Sequence, residues 1–243
     1  MKSVLMWFGL FSSAYADETG LPMVTLTVDS HTTQALYGQN RSTDGVIFVH
    51  SRGQNHKQWA YLTKYMSSKT QMSIAVDRLK VDQLPAEKQH LQVLSAAQYL
   101  LDAGATDLSC VGIDFSASLC AQAAGIDNRI SRVVMISPDW KSNGISLKEV
   151  FSQNVHYLVM YSEFDSHALR TMELLGEHEN LEEITSGKQA MGPKLLYIHP
   201  KMEADMVQWL LKDPPKMEQA PRKVIKPLKE EIEIETKGDE LPW

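Results

Sequence analysis

The chain has 243 residues, a formal net charge of −6 at pH 7 and two cysteines. This length suits one α/β domain of the larger kind with a terminal extension, and it allows a substantial buried core. The acidic balance and the lack of a basic block argue against nucleic acid as a partner. Two cysteines are too few for a disulfide scaffold or a metal cluster.

The N-terminus has the layout of a secretory signal peptide. Lys2 is followed by the apolar run VLMWFGLF, and the small-residue sequence AYA at 14–16 precedes an acidic stretch. The apolar run is too short to span a bilayer, and no later stretch is long and apolar enough to do so. We therefore predict a signal peptide at 1–16 and a mature protein that is periplasmic or secreted in a bacterium. A buried N-terminal strand or helix is the alternative interpretation.

Three predicted strands follow in succession, and strands then alternate with helices. The first three strands are MVTLTV, TQALYG and GVIFVH, at 23–28, 33–38 and 45–50. The later strands are predicted at 73–76, 108–113, 132–137, 156–162 and 194–198. The helices are predicted at 58–66, 86–104, 116–124, 167–176 and 203–212.

These elements predict a single α/β domain at 17–212. Nearly continuous apolar strands that alternate with helices indicate a mostly parallel sheet with helices on both faces. The first three strands are expected to form an antiparallel meander, which gives about eight strands in all. The segment 213–243 is rich in proline and charge, and it predicts a mobile tail or an arm that packs on a protein partner. Its EEIEIET stretch alternates like a strand that adds to a sheet edge.

The two cysteines leave their pairing open. Cys110 lies on a predicted strand and Cys120 on the helix that follows it. An oxidising compartment permits a disulfide between them, whereas two buried free thiols fit the same pattern.

Polar residues cluster where the predicted strands end. The segment HSRGQN at 50–55 follows the third strand, Asp114 follows the fifth and Asp165 follows the seventh. The segment HPKMEAD at 199–205 follows the last predicted strand. Reactive groups of doubly wound sheets gather at the carboxyl ends of the strands. We therefore expect these residues to line one cleft.

The same segments resemble the α/β-hydrolase fold over residues 23–212, and most nearly small exported proteins of the dienelactone-hydrolase type. The resemblance rests on GVIFVHSRG, CVGIDFSASLCAQAA, RVVMISPDW, LVMYSEFD and the terminal WLLK. In that family G-x-S-x-G forms the nucleophile elbow, a strained turn with small residues two positions to either side of the nucleophile. Here Gly112 and Ser116 are the small residues, and Asp114 stands at the nucleophile position.

An aspartate nucleophile resembles the haloalkane dehalogenases and epoxide hydrolases of the same fold. There a carboxylate attacks carbon, and a water that a histidine activates then hydrolyses the ester. Those families usually carry tryptophan after the aspartate, where this chain has Phe115. Ser116 is the alternative nucleophile, although Asp114 two residues before it fits the turn poorly.

The resemblance also assigns the remaining positions. The family's histidine lies a few residues beyond the eighth strand, commonly as His-Gly, and the predicted elements place Met202 there. His199 is the nearest candidate base and His167 the second. Asp165 matches the family's acid, which orients the imidazole.

The segment that begins with His50 resembles the oxyanion loop. The backbone N–H groups of Arg52 and Phe115 would be the oxyanion donors by analogy with the family. The Arg52 side chain could pair with Asp114 or with an anionic ligand, or it could be a surface residue of the loop.

Neither a metal nor a cofactor is predicted, because the eight histidines lack H-x-x-x-H spacing and no glycine-rich phosphate loop is present.

Two functions fit the sequence. The first is a non-catalytic pseudo-hydrolase that binds a small molecule or a protein partner. The second is an active hydrolase of small esters, lactones or carbon–halogen bonds, with Asp114 or Ser116 as nucleophile and His199 or His167 as base.

Overall fold

A computed structural model describes residues 19–69, 71–80, 82–142 and 144–212. The predicted signal peptide at 1–16 and the tail at 213–243 lie outside the described residues, so both stay predictions. Among the described residues, no helix is long and apolar enough to cross a membrane.

Ten strands among the described residues form one large sheet and one small hairpin. The strands are β1 (Met23–Val28), β2 (His31–Gly38), β3 (Asp44–Val49), β4 (Met72–Val76), β5 (Asp107–Ile113), β6 (Ile130–Ile136), β7 (Lys141–Ser142), β8 (Ile145–Ser146), β9 (His156–Ser162) and β10 (Leu181–Ser186). The large sheet has eight strands in the order β1-β2-β4-β3-β5-β6-β9-β10, and β7 and β8 form the hairpin. Six neighbouring strands, β4, β3, β5, β6, β9 and β10, pair with one another in parallel. This confirms the mostly parallel sheet.

Seven α-helices in the described ranges cover both faces of the large sheet. They are α1 (Ala60–Lys69), α2 (Leu91–Asp102), α3 (Phe115–Ile126), α4 (Leu147–Val150), α5 (Ser166–Leu175), α6 (Pro193–Ile198) and α7 (Pro200–Leu211). One apolar cluster joins the sheet to α2, α3, α4 and α5. A second cluster joins the opposite face to α1, α6 and α7. The parallel strands are therefore buried on both faces, as their continuous apolar sequences predict.

The predicted meander of the first three strands is wrong. Strand β2 pairs with β1 and with β4, both antiparallel, whereas β3 lies between β4 and β5 and is parallel to both. The sequence of β3 explains its place, because residues 45–49 are all buried, and a strand without a polar face belongs inside a parallel sheet.

The last predicted strand is also wrong, since residues 194–198 lie in helix α6. Gly192 and Pro193 start that helix, and proline at the first helical position favours a helix because its ring fixes φ. The last strand among the described residues is β10, which pairs there only with β9. Its sequence LEEITS is half exposed and acidic, so it lacks the apolar signal of the inner strands.

A disulfide joins Cys110 of β5 to Cys120 of α3, with the two Cα atoms 5.6 Å apart. Both cysteines are fully buried. The bond therefore links the strand and the helix on either side of Asp114, and the alternative of two free thiols is excluded.

Candidate functional site

The turn between β5 and α3 has the geometry of a nucleophile elbow. Asp114 adopts φ 54° and ψ −124°, a conformation that non-glycine residues rarely occupy. Its backbone N–H donates to the carbonyl of Ile136 at 2.9 Å. A Cβ on Gly112 would lie 2.5 Å from the carbonyl carbon of Ser116 and 2.6 Å from the nitrogen of Ala117. Glycine is therefore required at 112, as the elbow pattern predicts.

Ser116 fixes this turn from inside the protein. The residue is fully buried, and its hydroxyl accepts from the N–H of Ile113 at 2.8 Å. The same hydroxyl lies 2.7 Å from the carbonyl of Ile113 and 3.1 Å from that of Val49. Because these backbone groups occupy the hydroxyl, Ser116 does not fit the role of an alternative nucleophile.

The Asp114 carboxyl group lies among other charged groups at the carboxyl ends of the strands. Burial, and then the negative charges of Asp165 and Asp139, raise its pKa from 3.8 to about 6, against a smaller opposing effect of Arg52. Burial and like charges both disfavour the ionised carboxylate. A substantial fraction of Asp114 is therefore protonated at mildly acidic pH.

Asp165 lies where the sequence places the family's acid, directly before α5. One carboxylate oxygen, Oδ1, accepts from the backbone N–H of Ala168 at 3.1 Å and caps the helix. The other oxygen, Oδ2, is buried and has no hydrogen-bond donor among the described residues. The whole residue is 1% exposed. Buried carboxylate oxygens are usually hydrogen-bonded, so Oδ2 can accept a hydrogen bond from a group that enters the site.

The loop after β10, residues 187–192, lies directly against Asp114. Its last residue, Gly192, donates its N–H to the hydroxyl of Ser137 at 2.8 Å, which fixes the loop to the end of β6. A Cβ on Gly192 would lie 2.9 Å from Oδ1 of Asp114. Met191 precedes this glycine and is 48% exposed. The sequence analysis missed this loop because it placed the last strand too late, although the Gly192-Pro193 pair is a signal for a helix start.

Met202 does not lie a few residues beyond a strand, where the sequence analysis placed the family's histidine. It is buried in the second apolar cluster, in the first turn of α7, and its N–H donates to the carbonyl of His199. The alignment that placed Met202 at the histidine position depended on a strand at 194–198, and that segment is a helix. That assignment is therefore wrong.

The two candidate bases have other partners. His199 separates α6 from α7, and its Nε2 lies 2.8 Å from the hydroxyl of Ser186 at the end of β10. His167 lies in the first turn of α5, and its Nδ1 is 3.6 Å from a carboxylate oxygen of Asp139. The His167 side chain is 62% exposed. No contact joins either imidazole to Asp114 in the described part of the chain.

His50 holds the loop after β3 by both of its ring nitrogens. Nε2 accepts from the N–H of Arg78 at 3.2 Å, so Nδ1 carries the hydrogen and donates to the carbonyl of Ser51 at 2.8 Å. Burial lowers the pKa of His50, which favours this neutral form. Gln58 accepts from the N–H and the hydroxyl of Ser51. His50 is thus a positioning residue of the loop and is not free to bind a ligand.

Two arginines lie over the ring of Phe115, the residue after Asp114. The guanidinium carbon of Arg78 is 3.9 Å from the ring centroid, and that of Arg52 is 5.6 Å away. Burial, and then the charge of Arg52, lower the pKa of Arg78 to about 10. Nε of Arg78 is buried and unpartnered among the described residues. The sequence analysis missed Arg78, although it follows the end of β4 as Arg52 follows the end of β3.

Within the described ranges, no three side chains of His, Cys, Asp or Glu are placed to hold a metal ion. The charged groups that face the elbow are instead Arg52, Arg78, Asp139 and Asp165, with Asp114 among them. This arrangement suits recognition of a small polar molecule by charge and hydrogen bonding.

Comparison with known proteins identifies the fold. No protein-family model matches the sequence, and neither does any curated protein sequence. Solved structures do match over most of the chain. One is an esterase from Pyrococcus furiosus, with a TM-score of 0.65 and 12% identity over 78% of this chain and 89% of that one.

Two further structures are a dienelactone hydrolase from Anabaena variabilis and a bromoperoxidase from Bacillus anthracis. The first has a TM-score of 0.60 and 14% identity over 76% of this chain and 92% of its own. The second has a TM-score of 0.60 and 11% identity over 79% of this chain and 100% of its own. The chain therefore has the α/β-hydrolase fold, with an elbow between its fifth strand and the following helix.

Proposed function

We propose that the protein is a non-catalytic member of the α/β-hydrolase fold that binds a small molecule in the cleft over Asp114. The main support for this proposal is the residue that stands at the position of the catalytic histidine, in the loop after β10. In the hydrolases that this chain resembles, a His-Gly pair follows the eighth strand by a few residues. The eighth strand of the sheet is β10, and the corresponding pair is Met191-Gly192. Methionine has no group that can accept a proton from water or from a nucleophile.

The buried acid supports the same proposal. In a working triad the carboxylate of the acid accepts a hydrogen bond from the imidazole and orients it. Oδ2 of Asp165 has no donor among the described residues, although Asp165 lies at the expected position. In the family that donor is the imidazole of the base, and this chain has methionine at the corresponding residue, 191.

Exposed apolar side chains next to the site support ligand binding. Trp140, Phe164 and Met191 follow the carboxyl ends of β6, β9 and β10, and each is at least 40% exposed. Apolar walls with a few convergent polar groups are typical of small-molecule sites. The cleft can therefore bind a ligand selectively without catalysing a reaction.

We also propose that the protein works in an oxidising compartment, in a bacterial periplasm or outside the cell. The disulfide between Cys110 and Cys120 supports this, because such bonds persist outside the reducing cytosol. The predicted signal peptide at 1–16 gives the route. A protein partner for the tail at 213–243 remains a prediction of the sequence.

A second candidate function is an active hydrolase of small esters, lactones or carbon–halogen bonds. The backbone strain at Asp114 favours it, since strained conformations cluster at sites where function uses them. In that case Asp114 is the nucleophile, and a water that His199 or His167 activates hydrolyses the ester intermediate. The hydrogen bond of His199 to Ser186 and the exposure of His167 weigh against it.

Restoring the triad tests the proposed role of residue 191. We expect Asp114→Ser combined with Met191→His to hydrolyse 4-nitrophenyl acetate at least roughly tenfold faster than either single variant, because general-base catalysis contributes about 100-fold or more. Asp165 would then orient the new imidazole through Oδ2. The rate is measured as nitrophenolate release at pH 8.

A matched control for this experiment is Asp114→Ser combined with Met191→Gln, which adds a polar side chain that cannot transfer a proton. This control should stay at the rate of Asp114→Ser alone. A double variant with histidine that is folded by circular dichroism and gains nothing would contradict the placement of Met191 at the base position.

A further inference from the structure

The charged groups of the cleft are segregated along the edge of the sheet. Arg78 follows β4 and Arg52 follows β3, so both cations lie on one side of the elbow. Asp139 follows β6 and Asp165 follows β9, so both carboxylates lie on the other side. Asp114 stands between the two groups, at the end of β5. Asp77 also follows β4, but the backbone N–H and Nδ1 of His56 contact its two carboxylate oxygens. The arginines therefore define a positive end of the cleft, and Asp139 and Asp165 define a negative end.

The two arginines at the positive end have no close ion-pair partner among the described residues, although Arg52 interacts with Asp114 at longer range. Nε of Arg78 is buried without a partner there. Both guanidinium groups lie over the aromatic ring of Phe115, which is the first residue of helix α3. Side-chain capping by Asp114 is absent at this helix start, so its first N–H groups add to the positive potential.

The negative end contains a buried hydrogen-bond acceptor, the carboxylate of Asp165. Asp165 is 1% exposed, its Oδ1 caps α5, and its Oδ2 is buried without a donor among the described residues. Asp139 adds a second carboxylate on the same side, 3.6 Å from the exposed imidazole of His167. A buried carboxylate oxygen without a donor is stabilised strongly by an ammonium group, which brings three donors and the opposite charge.

The strand order gives the spacing of the two ends. Neighbouring strands lie about 4.8 Å apart, and β3 and β9, which precede Arg52 and Asp165, are separated by three spacings, or about 14 Å. The arginine side chains reach over Phe115 at the start of α3, which shortens this distance. A ligand that spans the two ends therefore needs a chain of roughly four to eight carbons.

We propose that the ligand of this cleft is a small zwitterion whose carboxylate pairs with Arg52 and Arg78 and whose ammonium group donates to Asp165. This inference rests on the proposed function, since it names the ligand class of the same cleft. Phe115 is buried beneath the two arginines and supports them from below. Phe164, which is exposed and precedes Asp165, offers apolar surface to the linker at the ammonium end.

The experiment compares three kinds of probe by calorimetric titration of the wild-type protein at pH 7.5. The first kind is a series of ω-amino carboxylates, namely 4-aminobutanoate, 6-aminohexanoate and 8-aminooctanoate. The second and third are the alkyl carboxylates and alkylamines of the same lengths, which carry one charge each. We expect one member of the zwitterion series to bind at least roughly tenfold tighter than both of its singly charged counterparts, because each paired end contributes separately.

Two variants assign the ends of the bound zwitterion. Asp165→Asn keeps a side chain that can cap α5 and removes the charge, so it should lower the affinity of the best zwitterion at least roughly tenfold and leave the alkyl carboxylate unchanged. Arg52→Gln should lower the affinity of the zwitterion and leave the alkylamine unchanged. The control is Glu163→Gln, an exposed carboxylate of the same loop as Asp165, which should bind all probes as the wild type does.

Equal affinity for a zwitterion and its singly charged counterparts, or unchanged affinity in folded Asp165→Asn, would overturn the inference. Binding of none of the probes would overturn it as well. The proposed function fails on a different result, which is ester turnover by the wild-type protein. The two failures are therefore distinguishable.

Discussion

Gly112→Ala is expected to destabilise the protein by about 3 kcal/mol or more, or to prevent folding. The added Cβ would lie 2.5 Å and 2.6 Å from backbone atoms of Ser116 and Ala117, and closer still to the carbonyl oxygen of Ser116. Backbone atoms at the start of a helix cannot move aside as the end of a flexible side chain can. The measurement is the free energy of unfolding in urea, with the yield of soluble protein as a second readout.

The matched control is Gly125→Ala in the same helix. A Cβ at Gly125 would meet only the carbonyl oxygen of Val150, at 3.6 Å, which is an ordinary contact. Alanine is the better helix former by about 1 kcal/mol, so this variant should be as stable as the wild type or slightly more stable. Equal stability of Gly112→Ala and Gly125→Ala would contradict the elbow geometry.

Asp114→Asn is expected to stabilise the protein above pH 6. The pKa of Asp114 is about 6 in the folded protein, above the value of 3.8 for an unperturbed aspartate. The folded state therefore holds this proton more tightly than the unfolded state, and ionisation costs stability as the pH rises from about 4 through about 6. This difference in pKa corresponds to about 3 kcal/mol, and solvent screening of the partly exposed carboxyl group reduces it to a cost on the order of 2 kcal/mol at pH 7. Asparagine does not ionise, so the variant avoids this cost.

The pH profile distinguishes this effect from a simple change in packing. The difference in the free energy of unfolding between Asp114→Asn and the wild type should be small at pH 4, grow up to about pH 6 and then stay constant. Asp82→Asn, an exposed residue, controls for the loss of one charge. A difference that does not depend on pH, or a variant less stable than the wild type at pH 7, would contradict the environment described for Asp114.

The sheet and its elbow could be predicted from the sequence because their signals are local. The inner strands are continuous apolar runs, and each is buried on both faces. Gly112 and Ser116 frame Asp114 at the spacing that the turn requires, and Asp165 caps the helix after its strand. These features depend on residues close together in the chain.

The end of the domain could not be predicted in the same way. Strand β10 lies at the edge of the described sheet and has two adjacent glutamates, so its pattern lacks the apolar run that marks an inner strand. Residues 194–198 are apolar enough for a strand, but Leu195 and Leu196 pack from a helix onto the sheet. Because this helix was taken for the last strand, the catalytic base was expected at Met202, eleven residues past Met191.

The arrangement of the site depended on strand order, which the sequence did not reveal. Arg78 belongs to the cleft because β4 lies next to β3, whereas the predicted meander put β2 there. The role of His50 likewise follows from the approach of the Arg78 backbone to its ring. Contacts between distant segments decide both points, and no local pattern encodes them.

Turnover by the wild-type protein tests most directly whether the cleft binds without catalysing. The full mature chain is assayed with a panel of nitrophenyl esters, lactones and haloalkanes beside Asp114→Asn, with both proteins folded by circular dichroism. Equal rates for the two proteins, at the level of buffer alone, are the predicted result. Turnover in the wild type that is lost in Asp114→Asn would contradict a non-catalytic function and establish Asp114 as a nucleophile.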